Sequence, residues 1–257
     1  MNIIFPMLGE GSRFKKAGYV KPKYLLPLAE EKILFFVLYG FRYFKESNFI
    51  FLIRKDHQLF NPELEIKRIC ESIGIEKINV VCIDKLTAGQ ADSVRLSLPY
   101  CKQNEPLLIF NIDTIHLGLD PNYFFVEEGM LETFKAKGDH WSFAEINKNN
   151  FVKKVTEKIR ISDNCSNGLY YFKSINIFEK AYSDLYKNDN SQLKTLALKE
   201  AYIAPMYNSI IKKGMKVLNR PVKKELILAS GIPKEYEILN SKYKFKKELE
   251  EKFKVFF

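Results

Sequence analysis

Asn2-Ile3-Ile4-Phe5-Pro6-Met7-Leu8-Gly9-Glu10-Gly11-Ser12-Arg13-Phe14, followed after a short gap by Lys21-Pro22-Lys23-Tyr24-Leu25-Leu26-Pro27-Leu28, opens the chain. The apolar run over 2–7 predicts a short buried strand that passes directly into a Gly-x-Gly turn. Glycines let a backbone approach phosphate oxygens closely, and successive N–H groups in such a turn form an anion-binding concavity. Arg13 and Lys23 place full positive charge behind that turn, so the stretch suits a nucleoside triphosphate. It is not a Walker loop, because no Gly-Lys-Ser/Thr follows. It is not the dinucleotide fingerprint either, because the third glycine is missing.

Further strands are expected over 49–53, 78–83 and 107–112, alternating with helical stretches over 33–44, 63–73 and 91–98. That alternation predicts an α/β fold with a mostly parallel central sheet flanked by helices, whose ligands bind at the carboxyl ends of the strands. The Gly9 loop and Asp113 both fall at such ends. The second half is denser in short strand candidates (130–134, 141–146, 151–156, 168–172), which predicts a mixed sheet region. Helices over 176–186 and 204–213 and a strand over 215–218 follow, ahead of a last αβ segment. No repeat or low-complexity linker divides the chain. One domain over 1–257 is expected, with a nucleotide-binding half over 1–115, an acceptor-binding half over 116–240 and a C-terminal helix over 241–257.

Composition narrows the class. With 257 residues, 46% of them hydrophobic, the chain has ample material for a core. Its apolar runs are too short to span a bilayer, and the N-terminus lacks the basic region and cleavage site of a secretory signal, so a cytoplasmic protein off the membrane is expected. The four cysteines (70, 82, 101, 165) include no Cys-x-x-Cys and read as reduced thiols; the three histidines have no zinc spacing. The net charge of +10 raises the question of nucleic acid. However, the lysines are dispersed and no nucleic-acid module is visible, so no nucleic-acid partner is expected. The stretch from Lys242 to Glu248 alternates Lys with Glu and aromatics, as a solvated amphipathic helix does. A basic balance also favours small anionic substrates.

Several segments, in order, carry a resemblance: Gly-x-Gly-Ser-Arg-Phe with Pro-Lys-x-Leu-Leu-Pro-Leu; Thr87-Ala88-Gly89-Gln90-Ala91-Asp92-Ser93-Val94; Phe110-Asn111-Ile112-Asp113; Val155-Thr156-Glu157-Lys158; Asn167-Gly168-Leu169-Tyr170-Tyr171-Phe172; and Glu200-Ala201-Tyr202-Ile203-Ala204-Pro205-Met206-Tyr207-Asn208. Over roughly residues 1–240 the chain resembles the sugar-phosphate nucleotidyltransferases, and within them the capsule-associated members. The resemblance implies a Rossmann-like, GT-A-like fold. It implies transfer of a nucleotidyl group from a nucleoside triphosphate to a small phosphorylated acceptor with release of pyrophosphate. CTP is favoured, with phosphoglutamine or a sugar 1-phosphate as acceptor, and Mg²⁺ as the cofactor. UTP or dTTP with a sugar 1-phosphate stays open, as does CTP with choline phosphate, since so many Tyr and Phe could form an aromatic cage.

The acceptor phosphate is already anionic near neutral pH, so no general base is required. The obstacle is crowded negative charge, which cations, a metal and positioning relieve. The family register then implies roles residue by residue. Arg13 would hold the leaving phosphates, Lys23 the α- or acceptor phosphate, and Lys158 the acceptor phosphate. Leu8, Gly9, Gly11, Ser12, Gly89 and Gln90 would meet the nucleotide. Glu157, Gly168, Glu200, Tyr202 and Asn208 would line the acceptor pocket. Asp113 would bind Mg²⁺, which prefers carboxylate and phosphate oxygens. One departure stands out: Leu228-Ala229-Ser230-Gly231-Ile232-Pro233 has no acid where many members bring a second Asp. Two rival readings remain. One is a GT-A glycosyltransferase, although Asn111-Ile112-Asp113 is not Asp-x-Asp. The other is a non-catalytic nucleotide-binding protein of the same fold.

Overall fold

The computed structural model describes residues 1–124, 127–186 and 200–254. Four strands form its parallel half: β1 (Asn2–Pro6), β4 (Asn48–Arg54), β5 (Ile78–Ile83) and β6 (Leu107–Phe110), in the spatial order β5-β4-β1-β6. Their residues alternate between two cores. Ile3, Phe5, Phe49, Phe51, Leu108 and Phe110 face one, while Ile4, Ile50, Leu52, Leu107 and Ile109 face the other. Burial on both faces is why β1, β4 and β6 read as apolar runs, whereas the edge strand β5 is mostly half-buried. Helices α2 (Ile33–Tyr39) and α3 (Pro62–Ser72) contribute to the first core, and α4 (Gln90–Ser97), α5 (Ile175–Tyr186) and α6 (Tyr207–Lys212) to the second.

The second half extends the same sheet instead of forming another. β11 (Asn164–Phe172) pairs antiparallel with β6, and on its flanks come β8 (Gly129–Lys135) and β9 (Ser142–Ile146). β10 (Val152–Glu157) closes one edge against β9, and β12 (Val217–Pro221) runs parallel to β8. The expected mixed region is therefore continuous with the parallel half in one nine-stranded sheet.

Smaller pieces escape the sequence pattern. β2 (Pro27–Leu28) and β3 (Glu31–Lys32) form a hairpin, and β7 (Thr114–His116) pairs antiparallel with β13 (Ile227–Ala229). The single C-terminal helix expected over 241–257 is replaced by two. Helix α7 (Pro233–Lys242) stops before Tyr243, which is extended, and α8 (Lys246–Lys254) follows; residues 255–257 of that expectation lie outside the described residues. The break is capped by Glu248, which accepts the N–H groups of Lys244 at 2.9 Å and Phe245 at 3.1 Å. Nor is α8 merely solvated. Leu249 and Phe253 are fully buried against the first core, and the Lys246 ammonium sits 4.0 Å from the centre of the Phe35 ring. No helix among the described residues is long and apolar enough to cross a membrane.

At the amino ends of the parallel strands a buried asparagine ladder fixes their register. Asn48 Nδ2 donates to Asn2 Oδ1 at 3.1 Å and to the Tyr100 carbonyl at 2.9 Å. Asn79 Nδ2 donates to Asn48 Oδ1 at 2.9 Å, and the Lys102 N–H reaches Asn2 Oδ1 at 2.8 Å. A buried polar group left unpaired costs about 1–3 kcal/mol. Asn48→Leu, which strips partners from both neighbours, should therefore lower unfolding stability by about 2 kcal/mol in urea titration. A loss below about 0.5 kcal/mol would make the ladder dispensable.

Candidate active site

The carboxyl ends of β1, β4, β5 and β6 open into one cavity of about 850 Å³, which also takes in β10, β11 and the segment after β13. This is the position that a parallel α/β sheet prepares for a ligand, because every crossover loop emerges there. Leu8, Gly9, Gly11, Ser12 and Arg13 line it from the first loop; Gly11 has φ +63° and turns the chain into the short helix α1 (Ser12–Lys16). Lys23 heads a 3₁₀ turn after Pro22, and its Nζ lies 2.6 Å from Asp113 Oδ2. Each of those side chains keeps a quarter of its surface exposed, so the pair faces the cavity and solvent.

Asp113 is also tied to the C-terminal segment. Its carbonyl accepts the Ser230 N–H at 2.8 Å and the Ser230 hydroxyl at 3.0 Å. Glu235, absent from the sequence-derived set, lines the same cavity; its Oε2 accepts the N–H groups of Gly231 and Ile232 at 2.9 and 3.2 Å, as a helix cap. A Cβ on Gly231 would stand 3.1 Å from Asp113 Oδ2 and 3.6 Å from Glu235 Oε2, so the two carboxylates face one another across that glycine. The Gly-x-Pro-x-Glu spacing was the signal available for Glu235.

The loop after β5 and the segment 200–202 are laced together. The Ala201 N–H donates to the Ala88 carbonyl and the Ala91 N–H to the Ala201 carbonyl, both at 2.8 Å. Gly89 permits this approach: its φ is +147°, and a Cβ would lie 2.5 Å from the Ala201 nitrogen. Gln90, first in α4, donates to Asn111 Oδ1. Glu200 and Tyr202 are thereby brought to the cavity wall.

Glu157 and Lys158 end β10. Lys158 adopts φ +56°, and its Nζ donates to Tyr202 Oη at 2.5 Å with Glu157 Oε1 at 3.7 Å. Burial works against the Lys158 ammonium, but Tyr202 and the carboxylates of Glu157 and Glu200 outweigh it and raise its pKa. Burial pushes the Glu157 carboxyl up, with Glu200 adding to the effect, against the bond from Ser142 and the charge of Lys158.

Asn208 is the one predicted site residue that stands outside the cavity lining. Its Oδ1 accepts the Val155 N–H and its Nδ2 donates to the Val155 carbonyl, both at 2.8 Å. Its amide is thus spent on the backbone of β10, and it holds the strand that carries Glu157 instead of touching the acceptor space. Gly168 lines the cavity from β11, beside Asn111 and Tyr170. Sequence reading assigned no role to Asp56, His57 or Trp141, all of which also line it, as does Tyr170 of the Gly-x-Tyr-x-Phe segment.

No family model and no curated protein matches the chain. Solved structures do. The nucleoside-diphosphate-sugar pyrophosphorylase of Vibrio cholerae RC9 aligns with a TM-score of 0.82 at 29% identity, over 93% of this chain and 99% of that one. The inositol-1-phosphate CTP transferase of T. maritima aligns with a TM-score of 0.73 at 15% identity, over 98% and 95%. A UDP-glucose pyrophosphorylase complexed with UDP-glucose aligns with a TM-score of 0.69 at 17% identity, over 94% and 97%. The chain therefore has the Rossmann-like fold of nucleotidyltransferases, as expected.

His57 gives this region a pH signature. Its Nδ1 sits 3.0 Å from Tyr24 Oη, and burial pushes its pKa down to about 4. An unfolded histidine titrates near 6.5. Between 6.5 and about 4, then, the unfolded chain binds a proton that the folded chain refuses, and stability falls as pH falls. The urea midpoint should drop across that window, and His57→Gln should flatten this part of the curve. An unchanged slope in the variant would show that His57 contributes nothing to it.

Proposed function

We propose that this chain is a nucleotidyltransferase. It would join a nucleoside triphosphate, CTP for preference, to a small phosphorylated acceptor, phosphoglutamine or a sugar 1-phosphate, and release pyrophosphate for capsule-precursor synthesis in the cytoplasm. The observation that carries this reading is the Lys23–Asp113 contact of 2.6 Å, in one cavity with Arg13, the Gly9–Gly11 loop and Glu157–Lys158. The similarity to the Vibrio nucleoside-diphosphate-sugar pyrophosphorylase supports the class. The preference for CTP and the capsule role rest on the sequence resemblance.

In this reading an acceptor phosphate oxygen attacks the α-phosphorus, the new P–O–P bond forms, and the bond to the β-phosphate oxygen breaks to release pyrophosphate. Arg13 neutralises the leaving phosphates and the Gly9–Gly11 backbone cradles them. Lys23 turns from Asp113 to the α-phosphate, and Lys158 holds the acceptor phosphate. Gln90 meets the base, and Glu157 receives polar groups of the acceptor.

Asp113 and Glu235 fit Mg²⁺ as hard oxygen donors. No group of three His, Cys, Asp or Glu among the described residues could hold a metal, which suits an ion bound through one or two carboxylates and substrate phosphates. The ion would supply charge neutralisation on the triphosphate.

The test is pyrophosphate release with Mg²⁺, crossing CTP, UTP, dTTP, ATP and GTP with phosphoglutamine, glucose 1-phosphate and choline phosphate. Acceptor-dependent release with CTP is expected. Nucleotide binding without release from any pair would favour the non-catalytic reading. Lys23→Ala should lower kcat by about 10²–10³-fold with the fold intact, and wild-type turnover would remove Lys23 from the mechanism. Asp113→Asn should raise the Mg²⁺ concentration needed for half-maximal rate; an unmoved titration would exclude it as a ligand.

A further inference from the structure

The pairing of β11 with β8 is interrupted once. Ser166 faces Thr133, and the next pair is Tyr170 with Leu131, so β11 uses four residues where β8 uses two. The extra residues form a bulge at the cavity wall, with Gly168 at φ +87°. Bulges re-aim the chain beside functional sites and need something to hold them. Here Ser166 Oγ accepts the Gly168 N–H at 3.2 Å and Asn167 Oδ1 the Leu169 N–H at 3.1 Å. Asn167 Nδ2 then donates to Glu132 Oε1 at 2.6 Å.

Glu132 is a fully buried carboxylate in β8 that does not line the cavity. His116 Nε2 meets the same oxygen at 2.7 Å, and the Gly118 N–H donates to His116 Nδ1 at 3.1 Å, which puts the imidazole proton on Nε2. Arg220 Nε lies 3.6 Å from Glu132 Oε2, and its guanidinium stacks 3.5 Å from the centre of the Tyr123 ring. Burial alone would raise the Glu132 pKa; His116, Arg220 and Asn167 reverse this and hold it below the usual carboxylate value.

On its other side the bulge bears on Asn111. A Cβ on Gly168 would fall 2.1 Å from Asn111 Nδ2, the Asn111 N–H donates to the Gly168 carbonyl at 3.3 Å, and Asn111 Oδ1 receives Gln90. We propose that Glu132 is a positioning residue: through Asn167 it fixes the β11 bulge, and the bulge sets Asn111 and Gln90 at the junction of the nucleotide and acceptor spaces. The catalytic consequence rests on the nucleotidyltransferase reading; the positional one does not.

The experiment uses the full chain. Asn167→Leu removes, at nearly constant volume, both the donor to Glu132 and the acceptor of the Leu169 N–H, while Asn167→Asp keeps that acceptor and sets a second carboxylate against Glu132. The readouts are the side-chain amide resonances of Gln90 and Asn111 in a ¹⁵N spectrum, and kcat against KM in acceptor-dependent pyrophosphate release. Both amides should shift, with kcat down by about 10²-fold and the nucleotide KM within about twofold. Glu132→Gln keeps an acceptor oxygen for His116 and Asn167, and should keep the wild-type resonances. A folded Asn167 variant with Gln90 and Asn111 at their wild-type positions overturns the proposal, even if its melting temperature has dropped. If the wild type releases no pyrophosphate from any pair, the resonances alone decide.

Discussion

Asp113 is where three distant stretches of chain are tied together. Its side chain receives Lys23 and its carbonyl receives Ser230 twice, so the N-terminal turn, the end of β6 and the C-terminal segment meet at one residue. The short β7–β13 pairing secures the third of these, because it brings Ala229 against Thr114 and so delivers Ser230 and Gly231 to the cavity. Without that pairing neither Gly231 nor Glu235 would have a reason to lie near the parallel strand ends. The cavity is thus an outcome of topology, with one ion pair at the point of convergence.

The Lys23–Asp113 pair adds little to folding. Partly exposed ion pairs contribute roughly 0–1 kcal/mol, since water competes for both partners. In the proposed reading its value would lie in exchange. A triphosphate would offer Lys23 a denser anion than one carboxylate, and a divalent cation would offer Asp113 a denser charge than one ammonium. In the free protein each group neutralises the other. Lys158 is held similarly, by Tyr202 and Glu157.

How much of this was readable follows from how much of it was local. β1, β4 and β6 were legible because burial on both faces writes an apolar run, and the edge strand 78–83 was read to the residue from its Ile and Val content. The β7–β13 and β2–β3 pairs were not, because two or three residues leave no periodicity and, for β7–β13, the partner is more than a hundred positions away. Motif spacing brought Arg13, Lys23, Asp113, Glu157 and Lys158 to one cavity. Spacing could not separate Asn208 from its neighbour Tyr202, since which way an amide turns depends on what the helix packs against, and here it packs on β10. The left-handed turn at Lys158 left no mark in the sequence. Glu132 did leave one: a lone acid inside the apolar Met130–Phe134 run is a buried charge awaiting partners.

Lys23–Asp113 and Glu132–His116–Arg220 therefore divide the labour of charge in opposite ways. The first is open to solvent, so its partners separate at small cost. The second is closed: Glu132 and His116 are wholly buried, and a buried carboxylate that loses a hydrogen-bond partner stays desolvated, at a cost of about 1–3 kcal/mol or more. A group that expensive to disturb cannot take part in a cycle of binding and release, but it can hold geometry constant through one. Low dielectric makes its bonds to Asn167 and His116 stiff. The bulge that Asn167 closes separates the two sets, with a fixed carboxylate behind it and exchangeable cations in front. In the proposed reading, a site handling several phosphates would need both, because mobile counter-charges reposition their ligands usefully only against a wall that does not yield.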